Sequence, residues 1–252
     1  MERLEAMEPP EAMGPPGLTG HVCLGEPLRC GAPQPVSGDA PAVRVAVTRE
    51  ARREVRQIAE KLSASLRTVR VMRENPSGQA LVVVDVQTKV MEACVDAAGV
   101  IGRIAGLVEA ARGRGVPVVW VRHRSDELVP DTPGWQIVPE LVPAPGEPIV
   151  EKTFGDSFAE TDLAERLADL GATSVVLCGA QTDACIRSTF FGGLHRGYPV
   201  TLVADAHTTE DLQPYGVGYT PEQAVAVLNA WAEWTRLPGV SGSVKKAEEV
   251  FA

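Results

Sequence analysis

Short, continuous apolar runs recur after residue 79 of this chain, and they alternate with longer stretches of helical periodicity. A strand that is buried on both faces shows such a run, whereas a strand with one face in water shows strict alternation. Repeated strand–helix units predict an α/β protein, a three-layer αβα Rossmann-like fold with a doubly wound, mostly parallel sheet. The predicted strands are 80–84, 117–121, 149–151, 174–178 and 199–204, the predicted helices are 96–114, 159–170, 183–197 and 221–235, and 244–250 is either an edge strand or a tail.

The N-terminal part of the chain differs in composition, and we predict that it is a disordered or helical extension to the sheet domain at 79–252. Residues 1–43 contain Pro-Pro twice and few branched apolar residues. They bury too little surface to offset the entropy of ordering, so we predict a disordered leader. Residues 44–78 are predicted to be a basic, amphipathic helical segment and linker. Its apolar positions at helical spacing are Val55, Ile58, Leu62, Leu66 and Val69.

Three interpretations of the basic segment stay open. The stretch 58–69, IAEKLSASLRTV, resembles the middle of a bacterial helix-turn-helix, with a turn at Ser63 and Ala64 and arginines placed to meet phosphates. Alternatively, it is a plain amphipathic helix that packs on the sheet domain or on a partner. The third interpretation, which we prefer, is a chain start at Met72, with the leader outside the mature protein. Proline-rich sequence occupies the place of a third helix, so we do not expect nucleic-acid binding.

Composition narrows the classes of partner and compartment. The net charge is -9 and only 5% of residues are aromatic, so the chain offers no broad basic face to nucleic acid or anionic lipid. We therefore expect a small-molecule partner. Five cysteines at irregular spacing, without a signal peptide, predict a reducing, cytoplasmic location. No apolar stretch reaches the ~18 residues that a membrane span needs, so no membrane association is expected.

Residues able to carry chemistry follow the predicted strands. Asp85 follows the first strand, Lys152 follows the strand at 149–151, and Cys185 lies in the tract after the strand at 174–178. Ligands bind beyond the carboxyl ends of parallel strands, so a carboxylate, an ammonium and a thiol are expected to converge on one pocket. Cys185 also falls in the first turn of a predicted helix, where the helix dipole and a nearby Lys152 favour a thiolate.

Four tracts together resemble the isochorismatase-like cysteine hydrolases, over about residues 79–237. They are LVVVDVQ at 81–87, EKTFGDSF at 151–158, GAQTDACIRST at 179–189 and GYPVTLVADAH at 197–207. The resemblance implies a catalytic triad with Cys185 as nucleophile, Lys152 as its cationic partner and Asp85 as base. It also implies a cis peptide between Ala180 and Gln181, and an oxyanion hole built from the backbone N–H groups of Gln181 and Cys185.

The activity implied by the resemblance is hydrolysis of a C–N bond in a small amide, a ureide or carbamoyl compound, or a lactam, through a thioester intermediate. The loop at 122–148 that would choose among these substrates has no signature that we can interpret. Similar proteins are commonly homo-oligomers, so a homo-oligomer is expected. The alternative is a catalytically weak ligand-binding or regulatory protein with a partial helix-turn-helix segment. An intact triad favours the enzyme.

Five further residues are candidates for binding the substrate. His123 and His207 follow apolar runs as possible donors, Gln87 follows the first strand, and Trp135 and Phe154 are candidates for an apolar wall. Nicotinamidases of this family carry a metal site with an Asp-x-His pair and a further His after the second strand. Here only His123 is found in that loop, so we expect no metal and no cofactor.

Overall fold

The computed structural model describes residues 52–61, 75 and 77–252. Residues 52–61 form a helix, α1, on which Val55 and Ile58 remain exposed. The predicted leader at 1–43 lies outside the described residues, as do Leu62, Leu66 and Val69, the helix-turn-helix stretch beyond residue 61 and the start at Met72. Among the described residues, no helix is both long and apolar enough to cross a lipid bilayer.

Seven strands form one sheet in the order β3-β2-β1-β4-β5-β7-β6. Strands β1 to β5 pair in parallel, β7 is parallel to β5, and the short β6 is antiparallel to β7. The prediction of a mostly parallel sheet is confirmed. The strands are β1 (Gln79–Val84), β2 (Val118–His123), β3 (Ile149–Lys152), β4 (Ser174–Ala180), β5 (Val200–Thr208), β6 (Arg236–Leu237) and β7 (Val240–Lys245).

Helices cover both faces of the sheet and complete three layers. On β1, Leu81 and Val83 point into one core with α3 and α7, whereas Val82 and Val84 point into a second core with α4, α5 and α6. This alternation is why continuous apolar runs predicted the strands. The helices are α2 (Thr88–Ala93), α3 (Ala97–Gly113), α4 (Leu163–Asp169), α5 (Arg187–His195), α6 (Pro221–Trp234) and α7 (Ala247–Val250).

Several predicted boundaries differ from the observed ones. β4 and β5 run past their predicted ends because Gly179 pairs with His207 and Ala180 with Thr208. α4 starts later than predicted, since Glu160 has a positive φ that a helix does not accommodate. α2 was not predicted. The stretch 244–250 is neither a tail nor a whole strand, because β7 ends within it and α7 follows.

The order of the strands creates a crevice between β1 and β4. The chain runs from β1 outward through β2 to β3, and later from β4 outward through β5, so the carboxyl ends of β1 and β4 meet at the topological switch point. Gly179, with φ +123, lies where the end of β4 approaches β1, and a Cβ there would overlap the backbone of Val84. This close approach brings the segment after β4 to the residue after β1.

Candidate active site

Three buried or half-buried side chains meet at the carboxyl edge of the sheet. Asp85 directly follows β1 and adopts a left-handed backbone conformation with φ 51, and its side chain is 2% exposed. Lys152 is the last residue of β3, and its side chain is fully buried. Cys185 lies in a π-helical turn, Thr182–Ile186, that follows β4 and leads into α5. The sheet therefore brings together the three residues of the predicted triad.

The Lys152 ammonium is the centre of this cluster. Its Nζ lies 2.6 Å from Asp85 Oδ2, 3.1 Å from Cys185 Sγ and 3.1 Å from His123 Nδ1. Burial opposes the charge, but the charge of Asp85 and the hydrogen bonds to Asp85 and Cys185 outweigh it and raise the pKa of Lys152. The lysine is therefore protonated, and its three N–H donors match these three acceptors.

This arrangement also fixes the protonation of His123. An ammonium has no lone pair, so His123 Nδ1 has to accept the hydrogen bond, and the ring proton has to lie on Nε2. Burial and the charge of Lys152 lower the pKa of His123, which keeps the ring neutral. His123 also lines the cavity above the cluster. A neutral imidazole at this place has one N–H left to donate.

Opposing effects set the resting state of Cys185. Burial and the Asp85 charge raise the pKa of the Cys185 thiol to about 12, and the opposing effect of Lys152 is smaller. Lys152 thus favours the thiolate, as expected, but desolvation by burial has the larger effect. A nearby base has to remove the thiol proton during attack, and the Asp85 carboxylate lies within 4.8 Å of the sulfur.

The peptide between Ala180 and Gln181 is cis, as the resemblance implied. In the π-helical turn that follows, Ala184 N–H and Ile186 N–H both donate to the Gln181 carbonyl. Gln181 and Cys185 line the cavity beside the sulfur. That their N–H groups form an oxyanion hole stays a prediction.

A cavity of about 330 Å³ opens above the cluster, which is the size of site that a small molecule fills. Sequence reasoning did not identify most of its wall. Lys89, Val90 and Ala93 come from α2, a helix that was not predicted because no side chain caps its N-terminus. Glu127 and Leu128 come from the long loop, and Glu210 follows β5. The lining residues are Asp85, Lys89, Val90, Ala93, His123, Glu127, Leu128, Gln181, Ala184, Cys185 and Glu210.

Gln87 is a structural clamp and does not line the cavity. Its side chain is fully buried, and its Nε2 donates to the carbonyls of His123 and Trp135 while its Oε1 accepts the N–H of His123. These bonds fix the end of β2 beside Lys152. The predicted contact with substrate is corrected to a role in holding the backbone of His123.

Three other candidates also lie away from the cavity wall. Trp135 is buried with the Arg122 guanidinium 3.6 Å from its ring centroid, and Phe154 is half-exposed on the surface. His207 is only 2% exposed, and it contacts Thr182 and Asn229. Its burial results from the extension of β5 beyond the predicted end. Of the five candidates for substrate contact, only His123 reaches the cavity.

The cluster also contains a possible set of metal ligands. Ligand atoms of Asp85, His123 and Cys185 lie within 4.8 Å of one another, and these residue types suit zinc. However, Lys152 Nζ lies within 3.1 Å of all three side chains. The ammonium thus already supplies the cation at this point.

Comparisons with known proteins concern the domain that contains this cluster. The sequence model of the family described as "Isochorismatase domain" matches residues 79–219. A streptothricin hydrolase from Streptomyces noursei is 36% identical over 162 residues, which cover 62% of this chain and 64% of that protein. An ureidoacrylate amidohydrolase RutB from Methylobacterium radiotolerans is 30% identical over 174 residues, which cover 52% of this chain and 67% of that protein.

Solved structures share the fold. A crystal structure of a cysteine hydrolase from Pseudomonas syringae pv. phaseolicola superimposes with a TM-score of 0.62 and 24% identity, over 70% of this chain and 92% of that one. The chain spans less than two thirds of the two streptothricin hydrolases that it matches, 64% and 58% of their lengths.

Proposed function

This chain belongs to the isochorismatase family, and from that premise we propose that it hydrolyses a C–N bond of a small amide, a ureide or carbamoyl compound, or a lactam. The observation that carries the proposal is the Lys152 ammonium, bonded at once to Asp85 and Cys185 at the floor of a cavity of small-molecule size. The names of the two relatives, a streptothricin hydrolase and a ureidoacrylate amidohydrolase, support a hydrolase that acts on small molecules.

The first half of the reaction forms a thioester. Asp85 takes the proton from the Cys185 thiol as the sulfur attacks the carbonyl carbon of the substrate. The N–H groups of Gln181 and Cys185 bind the oxyanion of the tetrahedral intermediate. The C–N bond then breaks, the leaving nitrogen takes the proton from Asp85, and the acyl group stays on the sulfur.

The second half releases the acid. Asp85 takes a proton from water as the water oxygen attacks the thioester carbon, and the C–S bond breaks with return of a proton to the sulfur. Lys152 remains protonated throughout and stabilises the negative charge that moves between Asp85 and Cys185. His123, with its Nε2 proton, is placed to donate a hydrogen bond to the substrate in the cavity.

Product release by the wild type and by Cys185→Ala tests the proposal. Amine or ammonia release is measured over a panel of small amides, ureides and lactams, and the variant is expected to lose at least about a thousandfold in kcat. Cys94→Ala is the matched control, because Cys94 is a second free thiol that does not line the cavity. An acyl adduct on Cys185 is expected by mass spectrometry. Ligand binding without turnover in the wild type would favour the regulatory alternative instead.

We also propose a homo-oligomer in a reducing cytoplasm. The outward face of α6 exposes Val227, Trp231 and Trp234 at spacings of four and three residues, and an exposed apolar patch of this kind is typical of an interface. A nucleophilic thiol and the free Cys94 and Cys178 suit a reducing compartment. Light scattering that gave a monomer mass for the full chain would contradict the oligomer.

A further inference from the structure

His207 lies behind the π-helical turn that carries Cys185, on the side away from the cavity. Its Nδ1 is 2.9 Å from Thr182 Oγ1, and its Nε2 is 3.0 Å from Asn229 Oδ1. Asn229, on α6, donates from Nδ2 to the Ala204 carbonyl at 3.0 Å. A chain of hydrogen bonds therefore runs from β5 through α6 and His207 to the first residue of the turn.

The direction of every proton in this chain follows from the partners. Asn229 uses Nδ2 as a donor to Ala204, so the atom that faces His207 is an amide oxygen, which only accepts. His207 Nε2 therefore carries the ring proton. Burial lowers the pKa of His207 to about 4, so the ring is neutral and its Nδ1 is an acceptor. The Thr182 hydroxyl then has to donate to His207.

The next residue of the turn is held as well. Asp183 accepts hydrogen bonds from Thr209 Oγ1 at 2.6 Å and from the Tyr219 hydroxyl at 3.0 Å. Thr182 is fully buried, so no water replaces its bond to His207. The first two residues of the turn are thus anchored from behind, three and two positions before Cys185, whereas Cys185 itself contacts Lys152 in front.

We propose that His207 and Asn229 are positioning residues that hold the π-helical turn Thr182–Ile186 so that the Cys185 sulfur stays within reach of Lys152 and Asp85. The Thr182 hydroxyl transmits the position of His207 to the turn. The proposal rests on the proposed function only in taking Cys185 as the nucleophile. A sulfur displaced by even a fraction of an ångström loses its alignment with the base and the oxyanion donors, so kcat depends on this support more than KM does.

Protonation of His207 would turn Nδ1 into a donor, so the Thr182 hydroxyl would have to reverse its role and accept, and the buried ring would gain a charge. The charged groups around the cavity beside His207 are Asp96, Arg103, Asp205 and Glu222. Burial lowers the pKa of His207 by more than the hydrogen bond to Asn229 and the charge of Asp205 raise it. Asn229→Asp replaces the amide oxygen acceptor by a carboxylate next to Nε2, which is expected to raise the pKa of His207. The change in kcat that accompanies this reversal at Thr182 is therefore expected at a higher pH than in the wild type.

Thr182→Val tests the proposal without disturbing the histidine, because it removes the hydroxyl and keeps the shape. Thr182→Ser keeps the hydroxyl and is the conservative rescue. The matched control is Thr201→Val, which removes another β5 hydroxyl bond, Thr201 Oγ1 to Ser243 Oγ at 2.9 Å, far along the strand from the turn. Three quantities are measured for each variant: the melting temperature, the rate of Cys185 alkylation by iodoacetamide, and kcat and KM on a substrate found in the panel.

Thr182→Val is expected to lower kcat about tenfold or more, to leave KM within about threefold, and to change the alkylation rate, whereas Thr182→Ser stays near the wild type. His207→Asn should have a similar effect, and the double variant should be no worse than either single one, because both remove the same interaction. Thr201→Val should lower only the melting temperature.

Additive effects of Thr182→Val and His207→Asn would overturn the proposal, and so would wild-type kcat and alkylation in Thr182→Val at a lowered melting temperature. If His207→Asn does not fold, Thr182→Val and Asn229→Asp decide the question alone. Alkylation is measured without any substrate. A panel that yields no product therefore defeats the proposed function while leaving the positioning of Cys185 open to test.

Discussion

His123 and His207 each end an apolar run of the sheet, yet the fold gives them different chemistry. His123 ends β2 on the cavity side, where Nδ1 accepts from Lys152 and the ring borders the space for a ligand. His207 lies inside β5 with both nitrogens bonded to protein partners. Both rings are neutral because their pKa values are lowered. Burial and the neighbouring Lys152 lower the pKa of His123, whereas burial lowers that of His207. One ring is thus available to a substrate, and the other supports the nucleophile from behind.

The difference shows which part of the site a sequence determines. The predicted strands located β1 to β5, and the residues at their ends supplied Asp85, Lys152 and Cys185, because side chains at the ends of parallel strands meet at one edge. The place where a strand stops depends on its neighbour. β5 continues to Thr208 because Gly179 and Ala180 of β4 pair with it, and this pairing buries His207.

Side-chain direction after a strand is equally hidden from the sequence. Gln87 is two residues beyond Asp85, and a regular extended strand would put both on one face. The left-handed conformation of Asp85 breaks that alternation, so Gln87 turns toward the backbone of His123 and leaves the cavity. α2 was missed for a related reason, since it has six residues and packs by tertiary context without a cap.

Among the changes that distinguish the two histidines, Lys152→Met is expected to have the largest effect, because it removes the cation bonded to His123. The thiol pKa of Cys185 should rise further, since Lys152 opposes the raising effects of burial and Asp85, and kcat should fall several hundredfold. His123 should titrate closer to its ordinary value, and His207 should not change. Histidine NMR titration and the pH dependence of Cys185 alkylation measure these shifts. Lys89→Met is the control, because Lys89 lines the same cavity without bonding to the sulfur.

Acid should lower the free energy of unfolding, because His207 is buried in its neutral form. The unfolded chain takes up a proton near pH 6.5, whereas folded His207 does so only near pH 4. Between these values proton binding favours the unfolded state. The contribution of neutral His207 to the free energy of unfolding is therefore complete above pH 6.5, and about 3 kcal/mol of it is lost as the pH falls toward 4. Urea unfolding at several pH values measures the loss, and His207→Asn should flatten that profile. His195→Asn, at an exposed histidine, is the matched control for the substitution itself. An equally steep profile in His207→Asn would assign the acid sensitivity to other groups.

The smallest effect, about tenfold on kcat/KM, is expected from protonating His123. A protonated Nδ1 would point a proton at the Lys152 ammonium, so activity should fall as the pH drops below the ordinary histidine value of 6.5. The other charged groups that face the ring across the cavity are Asp85, Lys89, Glu127 and Glu210. His123→Gln keeps an acceptor for Lys152 but does not titrate, and it should lose the histidine component of the acid limb while keeping much of the activity. An acid limb with an unchanged midpoint in His123→Gln would show that His123 does not contribute to it. In that case His123 would serve only as a fixed acceptor for Lys152, and the two histidines would differ in position but not in their sensitivity to pH.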